Sequence, residues 1–201
     1  MNIVGIQESF NDYPNHIALI LFTKYCTWDC KKCHNKYNLL ETDNLSKEYI
    51  NNYMEDSKPL INHIVVSGGE PTLEKEIVPF VKELKSRGYD IKLDTNGTNP
   101  EVLKELLPYL SVVAMDIKED FKIYDRYKRI CQTITEREFE NVQKSITILS
   151  NWYEESKEDR ILIFRTTLFD KLIDTDTIKD RLNSYQYTDY IIQGDLTPVR
   201  G

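Results

Sequence analysis

Residues 16–35 read HIALILFTKYCTWDCKKCHN, an apolar run rich in branched side chains that leads into a polar segment carrying Cys26, Cys30 and Cys33. The run at 17–22 is far short of the roughly 20 residues a membrane span requires, so it reads as a strand. The C-x₃-C-x₂-C spacing behind it can supply thiolates to three irons of a four-iron cluster. Each iron of such a cluster takes one protein thiolate, so one iron is left open, and an open iron implies chemistry. The remaining cysteine, Cys131 in KRICQTI, has no sequence neighbour of its own kind.

Plainer readings of the triplet are weaker. A disulfide with a spare thiol would fit an oxidising compartment, but the sequence has neither an apolar N-terminal signal segment nor a dense cysteine framework. Structural zinc wants four ligands in paired knuckles; His34, directly after Cys33, is poorly placed to close the same tetrahedron, and no second C-x₂-C follows. Inert buried thiols do not suit a segment that also holds Thr27, Asp29, Lys31, Lys32, His34 and Asn35. The segment reads as an exposed loop built around something.

At 201 residues and 40% hydrophobic content, the chain can bury the core of one domain, and residues 1–201 are read as a single one. With 26 basic against 33 acidic residues, the net charge of −7 gives a nucleic-acid partner no general support. No membrane association is expected, and a cytoplasmic location is. No internal repeat, low-complexity stretch or flexible linker stands out.

Six strands are predicted, at 17–22, 61–66, 91–95, 111–117, 161–165 and 190–193. Between them, Ile77, Val78, Phe80, Val81 and Leu84 share a helical face that ends at Gly88. Asn99-Pro100 resembles an N-cap followed by proline, opening a helix through Leu107. Thr135 and Glu138 can form a capping box ahead of Phe139, Val142, Ile146 and Leu149, and Asp174 can cap a helix carrying Ile178 and Leu182. Alternating strands and helices imply a parallel sheet whose working residues stand at the C-terminal strand ends.

Unusual residues fall at those ends, strand after strand. The first runs into the cysteine loop, the second ends in Ser67-Gly68-Gly69-Glu70-Pro71, and the third in Asp94-Thr95-Asn96-Gly97. The fourth ends in Met115-Asp116-Ile117-Lys118 and the fifth in Phe164-Arg165-Thr166-Thr167. Each alone is ordinary turn chemistry or a solvated ion pair. Their register with a three-cysteine loop is not.

C-x₃-C-x₂-C after the first strand, GGE after the second and DTNG after the third resemble the radical S-adenosylmethionine (SAM) superfamily. The resemblance implies an α/β fold, a partial (β/α)₆ TIM-like barrel. It also implies a [4Fe-4S] cluster on Cys26, Cys30 and Cys33, with SAM chelating the open iron. NDYPNHIALILFTKYCTWDCKKCHN, together with DTNG, DIK and FRTT, is similar to the glycyl-radical-enzyme activases, above all those of anaerobic ribonucleotide reductase. Pyruvate formate-lyase activating enzymes share much of the pattern. The cysteine-rich insert of other activases is absent, which favours a single-cluster enzyme. The implied reaction is reductive cleavage of SAM to a 5′-deoxyadenosyl radical that takes a hydrogen from a glycine Cα of a partner enzyme, with electrons from a flavodoxin- or ferredoxin-type donor. The open side of an incomplete barrel would admit the partner's glycine loop.

Roles follow from the resemblance residue by residue. Gly68 and Gly69 would offer backbone to the methionyl amino group, and Glu70 would hold that loop or reach the amine. Thr95 and Asn96 are candidates for ligand hydrogen bonds. Asp116 and Lys118 would sit near the ribose or methionyl carboxylate, and Arg165 offers a fork for a carboxylate or hydroxyl pair. Lys32 and His34 would lie beside the cluster. In pyruvate formate-lyase activases, acidic groups matching Asp94 and Asp116 help hold a monovalent cation, and the resemblance extends this to the present chain.

The chain departs from the family at Lys32, where an aromatic residue is common, so adenine stacking must come from elsewhere or be absent; Trp28 is either a candidate for it or a residue that simply packs the loop. Gln193, in YIIQGDLTP, replaces a ligand-facing polar residue. Two competing functions remain at this stage. One is a radical SAM enzyme acting on a small molecule or peptide, similar to 7-carboxy-7-deazaguanine synthase. The other is a zinc-binding interaction module without enzymatic activity.

Overall fold

The computed structural model describes residues 1–31, 33, 41–168 and 173–194. Seven strands and six α-helices are assigned among them: β1 Ile3–Tyr13, β2 His16–Thr23, α1 Lys47–Ser57, β3 His63–Gly68, α2 Ile77–Ser86, β4 Asp90–Thr95, α3 Pro100–Leu106, β5 Val112–Asp116, α4 Tyr124–Ile130, α5 Glu136–Glu155, β6 Ile161–Leu168, α6 Thr175–Leu182 and β7 Asp189–Gly194. The strands form one sheet in sequence order. From β2 to β7 every pairing is parallel, which is the α/β partial barrel expected from the alternating pattern. Among the described residues β7 does not pair with β1, so the barrel is open.

The strand at Ile3–Tyr13 is an addition to the six predicted ones. It pairs antiparallel to β2 through a two-residue turn, Pro14-Asn15, with Tyr13 facing His16. Asn15 has a φ of 62°, the left-handed conformation a proline-led turn needs at its second central residue. The alternation that would reveal β1 is broken by register shifts between Ile3 and Gly5 and between Ser9 and Tyr13. Being an edge strand, it also leaves Glu8 and Phe10 exposed.

Strand alternation gives the sheet two buried faces. Leu19, Leu21, Ile64, Val66, Ile91, Leu93, Val113 and Phe164 point outward onto Val81, Leu84, Leu103, Leu106, Val142 and Ile146 of the helices. Ala18, Ile20, Val65 and Val112 point inward and pack with Tyr13, filling the barrel floor. Tyr13 reaches the floor because β1 ends beneath it; its ring lies 4.6 Å from that of His63, which in turn stacks on His16 at 3.9 Å. Burying each such side chain contributes about 1.5–3 kcal/mol, which fixes the inward and outward sets.

Local signals were sufficient for four of the six helices, α1 and α4 being additions to the predicted ones. Gly88 follows α2 with a φ of 84°, Thr135 and Glu138 form both halves of the capping box on α5, and Asp174 accepts from the Thr177 N–H. Two details differ. Asn99 makes no side-chain cap on α3, because its amide donates instead to the Thr72 carbonyl and hydroxyl, each at 3.2 Å. The second predicted strand begins at His63 rather than at residue 61, because Ile61 turns into the helical core.

Candidate active site

The cysteine loop leaves β2 and lies across the C-terminal rim of the barrel. It is held on one side by β3. Gly69 N–H donates to Thr23 O at 2.9 Å, and Glu70 N–H to Tyr25 O at 2.7 Å. This close approach explains the glycine pair: a Cβ on Gly68 would stand 2.4 Å from Thr23 N and O, and one on Gly69 would stand 2.2 Å from Tyr25 O. Gly68 also has a φ of 112°, which side-chain-bearing residues rarely adopt. The sequence reading aimed these glycines at a ligand; the backbone that approaches them here is that of the cysteine loop.

The loop is clamped on its other side by residues about a hundred positions later. Cys30 and Cys131 form an antiparallel bridge, flanked by Lys31 N–H to Ile130 O at 3.1 Å and Gln132 N–H to Asp29 O at 3.0 Å. The Thr133 hydroxyl accepts from Asp29 N–H and donates to Thr27 O, both at 2.8 Å. Glu138, at the start of α5, accepts from the Thr27 hydroxyl at 3.1 Å and from the Trp28 indole N–H at 3.3 Å. Trp28 is 5% exposed and packs the loop. Sequence reasoning missed Thr133, and it saw Glu138 only as a helix cap. Nothing local marks either as a contact of the cysteine loop.

Glu70 joins the second rim segment to the third. Its Oε1 accepts from Thr72 N–H at 3.1 Å, the Thr72 hydroxyl at 2.5 Å and the Thr95 hydroxyl at 2.8 Å. Its Oε2 accepts from Asn96 N–H at 2.7 Å. Burial raises its pKa against the pull of these donors. Both oxygens are thus engaged inside the chain. Asn96 continues the connection, with its side-chain amide 3.8 Å from Cys26 Sγ.

Inside the barrel mouth lies a row of charges. Lys92 Nζ is 2.8 Å from Asp94 Oδ1, and Arg165 reaches Asp94 Oδ2 at 3.3 Å and Asp116 Oδ1 at 2.9 Å. Lys118 Nζ closes the row, 2.8 Å from Asp116 Oδ2. The Ser67 hydroxyl donates to Asp94 Oδ2 at 3.0 Å. Burial opposes ionisation of both carboxyls, but Arg165 with Lys92 on Asp94, and Arg165 with Lys118 on Asp116, outweigh it and hold both below the usual aspartate range. Asp94, Asp116, Lys118 and Arg165 were singled out in the sequence; Ser67 and Lys92 were not. The available signal was the spacing of Lys92 and Asp94, two apart on one strand and so on one face.

Of the thiols, Cys26 and Cys33 are exposed, Cys30 is half-buried and Cys131 is buried. Cys30 Sγ and Cys131 Sγ are 3.4 Å apart. The Cys131 hydrogen bond holds the Cys30 thiol below its usual value, while burial pushes Cys131 up. Among the described residues no three His, Cys, Asp or Glu side chains are gathered into a metal-binding group. The donor chemistry nevertheless fits an iron–sulfur cluster: three soft thiols on one loop, with Lys118 beside Cys30 to offset negative charge. A monovalent cation fits poorly, because every oxygen of Asp94 and Asp116 already faces a lysine or arginine. Lys32 and His34 lie outside the described residues. Gln193 pairs with Thr167, on the strand face that carries Arg165, and is exposed.

The family model described as the radical SAM superfamily matches residues 20–166. A protein of Methanocaldococcus jannaschii with the provisional name glycyl-radical enzyme activating enzyme MJ1227 is 32% identical over 187 residues, 90% of this chain and 74% of that protein. A provisionally named GTP 3′,8-cyclase of Pyrococcus horikoshii is 32% identical over 112 residues, 55% of this chain and 36% of that one. Among solved structures, Streptococcus suis SuiB bound to S-adenosylmethionine superposes with a TM-score of 0.63 at 11% identity, over 88% of this chain and 40% of SuiB. At that identity the likeness establishes the fold alone. No helix among the described residues is long and apolar enough to cross a membrane.

Proposed function

The chain belongs to the radical SAM superfamily, and from that membership we propose that it activates a glycyl radical enzyme, with anaerobic ribonucleotide reductase the foremost candidate. Members of the family are enzymes that use a [4Fe-4S] cluster and SAM, which together supply the electron transfer and the hydrogen abstraction. The task left to the protein is to position, to neutralise charge and to exclude water.

Here Cys26, Cys30 and Cys33 would hold the cluster, and the clamp through Gly69, Thr133 and Glu138 would fix their loop on the rim. Glu70 keeps the second and third rim segments in register. Arg165 and Lys118 present positive charge where a ligand carboxylate would lie. The observation that carries the activase reading is a similarity over 90% of the chain to a protein provisionally named as such, against about half of the chain for the cyclase. The open side between β1 and β7 is consistent with a protein substrate.

The test begins with anaerobically reconstituted, chemically reduced protein. It is expected to convert SAM to 5′-deoxyadenosine and methionine, and to raise an organic radical signal in electron paramagnetic resonance when mixed with the glycyl radical enzyme of its own organism. The proposal would be falsified if cluster-loaded, reduced protein bound SAM yet gave no cleavage, alone or with any candidate partner. A second reading, chemistry on a small molecule, draws on the cyclase similarity. It predicts SAM cleavage that rises with a nucleotide rather than with a protein.

A further inference from the structure

We propose that Lys92, standing in the floor layer of the barrel beside Val65 and Val112, is a built-in counter-ion to Asp94, and that it makes SAM binding independent of any monovalent metal ion. Two carboxylates facing a barrel mouth would ordinarily attract a cation from solution, since oxygen donors suit hard metal ions. This chain supplies its own instead. Lys92 is 3% exposed, and its ammonium sits between Asp94 Oδ1 at 2.8 Å and the Asp12 carbonyl at 2.6 Å. Arg165 takes the other Asp94 oxygen and one of Asp116, and Lys118 takes the last. Two negative charges are thereby met by three positive ones, and each carboxylate oxygen has a cation within 3.3 Å, Asp94 Oδ1 through an ion pair with Lys92 that is not a hydrogen bond.

Strand geometry makes the arrangement obligatory. Lys92 and Asp94 alternate with Ile91 and Leu93, which are fully buried against the helices, so a register slip that freed Lys92 would expose both apolar residues. The Asp12 contact comes from the end of β1, so the floor hairpin helps aim the ammonium. A metal ion beside Asp94 would meet two fixed cations, and like charges in a site shielded from water repel strongly. Lys92 is a positioning residue: it keeps Asp94 charged, and Asp94 holds Arg165. The inference rests on the reading that SAM binds at this rim.

The test compares chloride salts of potassium, sodium and tetramethylammonium at equal ionic strength, in two arms. In the first, the unfolding temperature of the whole chain without cluster or SAM is expected to be the same in all three salts for the native sequence. Lys92→Met is expected to unfold at a lower temperature in tetramethylammonium and to recover in potassium or sodium. In the second, SAM affinity of the cluster-loaded protein is expected to be salt-independent for the native sequence. For Lys92→Met it should be weaker by about tenfold in tetramethylammonium alone, as expected when a buried pair loses one partner. Lys92→Arg is expected to behave like the native chain. A native protein that needs potassium or sodium in either arm overturns the inference, and so does a Lys92→Met variant that responds alike to all three salts. If Lys92→Met fails to fold in any salt, the native comparison decides by itself. Should SAM fail to bind in every salt while the unfolding temperatures behave as stated, the proposed function falls and the counter-ion role stands.

Discussion

Cys30 and Cys131, 101 residues apart in sequence, bring their sulfurs to 3.4 Å across an antiparallel backbone bridge. Residues facing one another in such a bridge have Cα separations of about 4.5–5.5 Å, within the span of a disulfide. Cluster-free protein treated with diamide is therefore expected to cross-link Cys30 to Cys131, each thiol giving up one hydrogen to the oxidant. Peptide mapping by mass spectrometry checks this. A dominant link between Cys26 and Cys33 would show that the bridge does not govern the loop's thiol chemistry.

The same pair separates a proposed cluster ligand from its neighbour. Cys26→Ala, Cys30→Ala and Cys33→Ala are each expected to abolish SAM cleavage and lower the iron content. Cys131→Ala should retain both. Iron assay and chromatography of 5′-deoxyadenosine make the comparison, and a folded but inactive Cys131→Ala would overturn the three-ligand assignment.

Gly69→Ala would place a methyl group 2.2 Å from the Tyr25 carbonyl oxygen, a contact that only a backbone shift relieves. Shifts of this kind cost about 1–3 kcal/mol. The loop that moves is the one carrying the thiols, so iron retention should fall together with the unfolding temperature. A variant that loads iron like the native protein would argue that the rim contact does not position the loop.

Glu138 serves two structures at once. It completes the capping box on α5 and accepts from Thr27 and Trp28 in the cysteine loop. Glu138→Ala is expected to lower stability by about 1–2 kcal/mol, the upper part of the range for a lost cap, and to shift Trp28 fluorescence as the indole loses its acceptor. Glu138→Gln, which preserves the shape of the box, should recover most of both losses.

Acid should weaken the barrel mouth. Asp94 and Asp116 are held below the ordinary aspartate value, burial being outweighed by the neighbouring cations. Stability from a depressed carboxyl is full above the unfolded value of about 3.9 and is lost as pH falls through the folded one. Stability should therefore decline below about pH 4. Asp94→Asn should be destabilised near neutrality by about 3 kcal/mol, since it leaves Lys92 and Arg165 short of a partner. The gap to the native protein should narrow in acid, as measured by urea unfolding across pH.

The parallel strands and most helices were legible because each bears its signal locally: apolar runs of four to seven residues, a capping box at Thr135 and Glu138, a glycine after α2. The rim residues were legible because parallel strands deliver their C-terminal ends to one side. What escaped was pairwise. Thr133 meets Thr27, and Glu138 meets Trp28, only after the chain has crossed three strands, and no local pattern encodes that meeting. Lys92 was passed over because a lysine in a strand is ordinarily turned to solvent, whereas its phase with Asp94 turns it inward. The glycine pair was read as facing a ligand; the close packing of Thr23 and Tyr25 gives Gly68 and Gly69 a second, structural reason that the sequence did not reveal.

The clamp on the cysteine loop bears on how portable that loop is. Its neighbours come from separate stretches of chain: Gly68 to Glu70 after β3, Asn96 after β4, and Ile130 to Glu138 leading into α5. A grafted CTWDCKKC in another barrel would carry the thiols but none of the surfaces that press them against the rim. Transplanting the motif means transplanting a cross-section of the barrel, which is why a protein engineer would do better to reshape the open side of this scaffold than to move its cysteine loop elsewhere.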